Sequence, residues 1–358
     1  MIFSRHHLAT TLLCAVALVP GALAASKARP THPTDDDSGT YKGAIVMDAA
    51  TGNVLFERNA DEVSPPASMT KLMTFAVLYD KLQSGIITLD TPVRITPEDA
   101  KIGGTQVFLD SRETFSVEEL VYAMMIESAN DAAHAIAHAS CGSVEACVEA
   151  MNAKAGELGM QHTTFRTPHG LPPSSRRIAD GDLTTPRDFA VLCRYLVTHT
   201  DILKYTSVAK RDFAPDRKFG ETQHMENHNK LLGKVTGVDG LKTGYTIGAG
   251  YCLSATALRN GHRIIAVIMG SFGPNGAIDK GHSRDLKTIG LLERGFAALP
   301  AGSPAFVSTQ PTPSPTSATS ATSPLTLAPA SSGKSAAPAP ADPAVALKFN
   351  IPDRKSVV

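Results

Sequence analysis

Two stretches with a common pattern stand at opposite ends of the chain's apolar portion. GAIVMDAATGNVLFERNAD, residues 43–61, alternates apolar and polar positions around Thr51-Gly52-Asn53. GYCLSATALRNGHRIIAVIMGS, residues 250–271, reads as two strands around Asn260-Gly261, a strong two-residue turn signal. Each predicts an antiparallel hairpin, because period-two patterning sends alternate side chains to opposite sheet faces. Strands at both ends with helices between predict an α+β fold, its antiparallel sheet built from the two ends of one domain and covered by helices.

The intervening helices are marked by their termini. Ser64 and Pro65-Pro66 lead into a helix from near Ser68 to Gln83, closed by Gly85, whose LMTFAVL centre is apolar nearly all round and so belongs in a core. A second opens at Ser116, spaced from Glu119 as a capping box, and runs through VYAMMI. It breaks near Glu127-Ser128 before NDAAHAIAHA resumes a helical pattern. A third opens at Thr185-Pro186 with Asp188 in its first turn. An amphipathic helix through Leu286, Ile289, Leu292 and Phe296 follows the last strands.

The flanks differ in kind. Residues 1–24 run from a basic start (Arg5, His6, His7) through an apolar stretch to Ala22-Leu23-Ala24, the pattern of a secretory signal peptide. Residues 25–39 read as a disordered lead-in, residues 40–298 as the folded domain, and 299–358 as a Pro, Ala, Ser and Thr-rich tail that buries too little apolar surface to offset ordering entropy. Export fits the cysteines: without Cys14 an even set of four is left, of which Cys141 and Cys147 are close enough to pair, while Cys252, in an apolar strand pattern, reads as a buried free thiol. The 34 basic and 34 acidic side chains balance, so no broad field points to nucleic acid or an anionic membrane surface.

Function has to be sought in a site. Ser68 and Lys71 in PPASMTKLMT are three apart on a helix, which puts the amine within reach of the hydroxyl. A lysine buried there loses solvation, its pKa falls, and the neutral fraction can take the serine's proton as the oxygen attacks a carbonyl. Taken alone the pair reads first as a helix-start serine with a snorkelling lysine. Two further segments alter that balance: Ser128-Ala129-Asn130 sits at the helix break, and Lys242-Thr243-Gly244 leads into the strand hairpin.

In this order the three segments resemble the active-site set of the D-alanyl-D-alanine carboxypeptidases, the low-molecular-weight penicillin-binding proteins. MQHTTFRTPHGL, NHNKLL and GVDGLKTGYTIGAGYCL are similar to stretches flanking that family's site. The resemblance implies a DD-peptidase/β-lactamase-like fold with a helical subdomain and no cofactor. It further implies that Ser68 is the acylated nucleophile, Lys71 its proton acceptor, and Ser128 the relay to the leaving D-alanine nitrogen. Asn130 would bind the substrate's peptide backbone, Lys242 and Thr243 its carboxylate, and Gly244 would leave room for an extended peptide. Ser68 and Tyr245 would supply oxyanion-hole amides, and Arg284 would help hold the terminal carboxylate, though as a residue it reads equally well as a solvated helix-start arginine. The implied partners are peptidoglycan stem peptides ending in D-Ala-D-Ala, with β-lactams as covalent inhibitors, in the periplasm. Many members carry a second β-rich domain and a C-terminal amphipathic anchor; the low-complexity tail stands in those positions here, so no membrane anchor is expected.

Three alternatives keep the site and change its use. A serine β-lactamase needs a base for rapid deacylation, and no glutamate occurs between Glu157 and Glu221. A DD-endopeptidase would cut cross-links, and a wall-binding or β-lactam-sensing module would not turn over. The pairs His134/His138 and His224/His228 have i, i+4 spacing but lack the glutamate register of zinc peptidases, so they read as surface or satisfied histidines and no metal is expected. His169, in a Pro-rich loop, reads as structural.

Overall fold

The computed structural model describes residues 41–309; the predicted signal peptide, the lead-in and most of the tail lie outside the described residues. The strands are β1 (Gly43–Asp48), β2 (Val54–Arg58), β3 (Pro92–Arg94), β4 (Thr114–Ser116), β5 (Lys210–Phe213), β6 (Gln223–Glu226), β7 (Val238–Thr246), β8 (Gly250–Arg259) and β9 (His262–Ser271). The α-helices are α1 (Lys71–Gln83), α2 (Pro97–Ala100), α3 (Val117–Tyr122), α4 (Asn130–Cys141), α5 (Val144–Glu157), α6 (Pro186–His199), α7 (Ile202–Thr206) and α8 (His282–Ala298).

The two expected hairpins meet as neighbours. The main sheet has the order β2-β1-β9-β8-β7, all antiparallel, with β1 joined to β9 from Gly43 opposite Met269 to Asp48 opposite Ile264. β9 is buried continuously from Arg263 to Ser271 because helices cover both of its faces. Ala44, Val46, Ile264, Ala266 and Ile268 face Leu291 and Leu292 of α8. The alternate set, Ile45, Met47, Ile265, Val267 and Met269, enters the larger core with residues of α1 and α6. Each Val, Ile, Leu or Met of these sets contributes about 1.5–3 kcal/mol by burial, so a one-residue slip of β1 would exchange two cores at once.

Several details differ from the sequence reading. Helix α5 was not expected; its buried residues Cys147, Met151 and Ala155 form a stripe only one residue wide, opened by Ser143, whose hydroxyl accepts the Ala146 N–H. Ser116 accepts the Glu119 N–H as expected, but the Glu119 carboxylate is taken by Arg211 and the Ala214 N–H instead of returning to the cap. Cys141 and Cys147 lie side by side across the α4–α5 turn as free thiols, not a disulfide; Cys252 is buried and free. The chain also stays on the domain beyond residue 298: Phe306 donates its N–H to Gly261 O and packs under Arg263, and Thr309 N–H reaches Thr198 O.

Candidate active site

Ser68 lies in a 3-10 turn, Ala67–Thr70, that runs directly into α1, and it is the one residue of that turn left unburied. Ala67, just before it, has φ 51°, a left-handed conformation that an L-residue with a Cβ adopts only under constraint. The constraint is visible. Thr70 Oγ1 donates to Asp182, Thr74 Oγ1 donates to Pro168 O, and Asp182 also accepts the N–H groups of Arg166 and Thr167. These bonds fasten the loop 166–170 along the start of α1.

Lys71 is the centre of the arrangement. Its Nζ stands 3.0 Å from Ser68 Oγ, 2.6 Å from Asn130 Oδ1 and 2.8 Å from the His169 carbonyl oxygen, with the side chain fully buried. Burial, reinforced by the Lys242 charge and opposed by Asp131 and Asp182, brings its pKa well below the usual lysine value. Donor accounting fits the neutral amine. Asn130 Oδ1 and His169 O can only accept, so they take two N–H groups, and the amine's lone pair then faces the Ser68 hydroxyl. Asn130 is held in that orientation because its Nδ2 donates to Gly103 O at 2.8 Å.

Ser128 and Asn130 owe their positions to a defect in the helix. The π-helical turn Ala123–Glu127 ends at Ser128, whose φ of 66° reverses the backbone before α4 begins at Asn130. Asp131 then accepts the N–H groups of Val107, Leu109 and Ala132, and Asn130 N–H reaches Thr105 O, which ties loop 101–109 to the helix start. Asp131 is buried, and burial raises its pKa against the opposing backbone N–H groups.

Lys242, Thr243, Gly244 and Tyr245 lie on β7, the edge strand of the main sheet, so one rim of that strand has no strand partner. Lys242 is buried, with its own neighbour's Thr243 O at 3.2 Å; burial, then the charge of Arg284, pushes its pKa down to about 7. A Cβ on Gly244 would stand 2.5 Å from Pro66 O and 3.1 Å from Ser68 N, so its missing side chain serves the close approach of β7 to the nucleophile turn. Sequence reading had assigned that space to substrate. Arg284 is also resolved: it is buried in the first turn of α8, bonded through Nε and Nη2 to Asp285, and not a solvated helix-start residue.

Ser68, Ser128, Thr243, Gly244, Tyr245 and Arg284 line one cleft of about 330 Å³, together with Lys230 and Lys280. Its charged lining is cationic and no carboxylate faces it, which suits an anionic ligand end. A larger apolar depression of about 610 Å³ lies beside it, walled by Pro65, Leu171, Pro173, Ile178 and Ile247, but none of the reactive groups opens into it. The chemistry therefore belongs to the smaller space.

Six of the sequence-expected residues thus line the cleft, Lys71 and Asn130 are bonded to one another beside Ser68, and Lys242 is buried on β7 without lining it. What sequence reading missed is the frame: the His169 carbonyl on Lys71, Asp182 and Asp131 on the flanking loops, and Gly170, whose φ of 83° brings it against Ala67. The His169 ring accepts the Leu171 N–H at Nδ1, and burial plus the Lys71 charge pushes its pKa down to about 3, so it stays neutral. The HGL segment was the available signal.

Residues 29–273 match the protein family described as D-alanyl-D-alanine carboxypeptidase, Peptidase S11. The D-alanyl-D-alanine carboxypeptidase DacF of Bacillus subtilis is 36% identical over 270 residues, 75% of this chain and 67% of that protein. DacC of Escherichia coli is 36% identical over 63% of this chain and 56% of its own length, so the chain spans little more than half of that relative. The Escherichia coli D-alanyl-D-alanine endopeptidase is also similar, 30% identical over 73% of this chain and 81% of that protein. Among solved structures, penicillin-binding protein D2 of Listeria monocytogenes in its ampicillin-bound form superimposes with a TM-score of 0.62 at 30% identity, covering 74% of this chain and 100% of that one. The carboxypeptidase DacD of Francisella tularensis gives 0.65 at 28% identity, covering 75% and 72%.

Proposed function

This chain belongs to the D-alanyl-D-alanine carboxypeptidase family and is a serine-type enzyme of that class; from that premise we propose that it removes the terminal D-alanine of peptidoglycan stem peptides through an ester on Ser68. The observation that carries the assignment is the triple contact of Lys71: Asn130 Oδ1 and His169 O hold the amine 3.0 Å from Ser68 Oγ, so that its neutral form turns its lone pair to that hydroxyl.

In this reading the peptide lies along the free rim of β7 with its terminal carboxylate toward Lys242, Thr243 and Arg284. Ser68 Oγ attacks the penultimate carbonyl carbon while its proton passes to Lys71 Nζ. The backbone amides of Ser68 and Tyr245 hold the resulting oxyanion, where loss of one donor typically costs about 3 kcal/mol. Ser128 passes its proton to the departing D-alanine nitrogen and takes in its place the one Lys71 received from Ser68, so that the C–N bond breaks, Lys71 is neutral again, and the acyl group stays on Ser68. Water then attacks the ester, Lys71 again accepting a proton, and Ser68 is restored.

A β-lactam would open on the same oxygen. No carboxylate lines the cleft, so the glutamate base with which class A β-lactamases clear such an adduct has no counterpart there, and this favours a penicillin target over a β-lactamase. Mass spectrometry after penicillin treatment should find one persistent adduct on Ser68, absent in Ser68→Ala, and the enzyme should release D-alanine from a free pentapeptide. Cleavage confined to a cross-linked dimer would make it an endopeptidase; no adduct would remove the catalytic reading. We also place the protein in the periplasm on the strength of its leader, and no described helix is long and apolar enough to cross a membrane.

The two buried amines have opposite requirements, so peptide turnover should be bell-shaped in pH. Lys71 must be neutral, which sets the acid limb. Lys242 must be cationic to hold the carboxylate, so kcat/KM should fall as pH rises through about 7. Lys242→Arg, cationic throughout, should move the alkaline limb to higher pH; a limb left in place would show that another group titrates there.

A further inference from the structure

Outside the cleft, three metal-ligating side chains converge with no part in the reaction. His134 and His138 share one face of α4, and both Nδ1 atoms point at the same oxygen of Asp99, Oδ1, at 2.6 and 3.1 Å. The three donor atoms lie within 4.8 Å of one another. The other Asp99 oxygen is already committed: Oδ2 accepts both the N–H and the hydroxyl of Thr96 at 2.8 Å, in the capping box that opens α2.

We propose that Asp99, His134 and His138 form a site for one Zn²⁺ ion. Two imidazole nitrogens and one carboxylate oxygen are a zinc donor set, whereas calcium and magnesium take oxygen ligands. Bonds of about 2.0–2.1 Å in a tetrahedron put donors about 3.3 Å apart, so the two His–Asp spacings need to open by less than about 1 Å and the His–His spacing to close by at most about 1.5 Å. The ion replaces the ring protons now shared with Oδ1: each neutral ring moves its proton to Nε2, and a charged ring releases one.

The surroundings provide what such a site requires. Thr96 holds the ligating carboxylate in the way outer-shell partners do, fixing its orientation from the side away from the metal. The Asp99 side chain is fully buried while those of His134 and His138 keep 17% and 26% exposure, so a water ligand and an entry path lie on the histidine side. The i, i+4 histidines carry no signature by themselves; Asp99, 35 residues before His134, completes the set only in space.

The position gives the ion a structural task. Asp99 lies in α2, from whose end loop 101–109 departs, and that loop presents Gly103 O and Thr105 O to Asn130, one turn before His134 on α4. Zinc would clamp both ends of the support that orients Asn130 against Lys71. It touches no reacting atom.

Zinc chloride titrated into the metal-free full-length chain, with any affinity tag removed, should show one tight equivalent, with Kd below about 1 µM, and a raised Tm. The pair of substitutions His134→Ala and His138→Ala, and separately Asp99→Asn, should weaken binding by at least about 100-fold and cancel the rise in Tm. His224→Ala, which removes an exposed histidine on β6, should leave both readouts unchanged. X-ray absorption on the zinc-loaded wild type should find two imidazoles, a measurement independent of whether any variant folds. Binding retained in the paired variant, binding lost in His224→Ala, no equivalent tighter than about 10 µM, or a zinc shell without two imidazoles would each overturn the site.

Discussion

Lys71→Ala should lower the rate of Ser68 acylation by penicillin by about 10²–10⁴-fold at neutral pH, the range a positioned general base contributes. No other described group contacts the Ser68 hydroxyl as an acceptor without a proton of its own to dispose of. Lys71→Arg should be as inactive although it keeps the charge, because a guanidinium holds its proton at any pH the protein survives. That comparison separates a base from a mere cation. Folding should persist in the alanine variant with a lowered Tm. Asn130 Oδ1 and His169 O lose their donor, at about 1–3 kcal/mol each, but the cost of holding an amine in a dry site disappears with it. Stopped-flow or gel measurement with a fluorescent penicillin decides the matter. Acylation within about tenfold of wild type would assign the base to another group.

The parts of this site that were legible in the sequence are those whose partners are close in the chain. Ser68 and Lys71 meet because one helical turn separates them, and the break at Glu127-Ser128 is written in the local pattern. The sheet was legible for the same reason: each hairpin is local, and only the β1–β9 seam had to be inferred from the strands standing at both ends. The frame was not. Lys71 reaches His169 O across 98 residues and Thr70 reaches Asp182 across 112, and nothing in either segment alone announces a partner. Arg284 shows the limit most directly, since one arginine at a helix start reads as solvated until α8 is placed against the cleft. Asp99 is the same case for the histidine pair.

Those long-range bonds share a purpose. A neutral amine beside a serine is productive only if its lone pair is aimed, and a lysine has four rotatable side-chain bonds with which to aim it elsewhere. The chain removes that freedom with acceptors brought in from two separate loops: Asn130, held by Gly103 and Thr105, and His169, held by the Thr74 and Asp182 bonds around it. Preorganisation of this kind means that substitutions in the supporting loops should act on acylation more than on stability.

Gly170→Ala should show this most strongly. Gly170 has φ 83°, and a Cβ there would stand 2.0 Å from Ala67 O and 3.0 Å from Ser68 N. Real Cβ atoms do not approach a carbonyl oxygen so closely, so either loop 166–170 or the nucleophile turn must move. Loop movement is resisted by Thr167, whose hydroxyl accepts the Gly170 N–H and donates to Asp182, and by Lys71 on the neighbouring His169 O. The turn is the weaker side, since Ala67 is already in a left-handed conformation. The left-handed φ itself costs an alanine about 1–2 kcal/mol, a loss the domain should survive. A shift of the Ser68 oxygen by about 1 Å is another matter, since misplacement of that size can cost about 10²-fold in rate. The expected outcome is a folded protein with a Tm lowered by several degrees and penicillin acylation down by about 10²-fold or more. Equal proportional loss of stability and activity, or acylation at the wild-type rate, would mean that the loop yields and that the contact between Gly170 and Ala67 does not position the nucleophile.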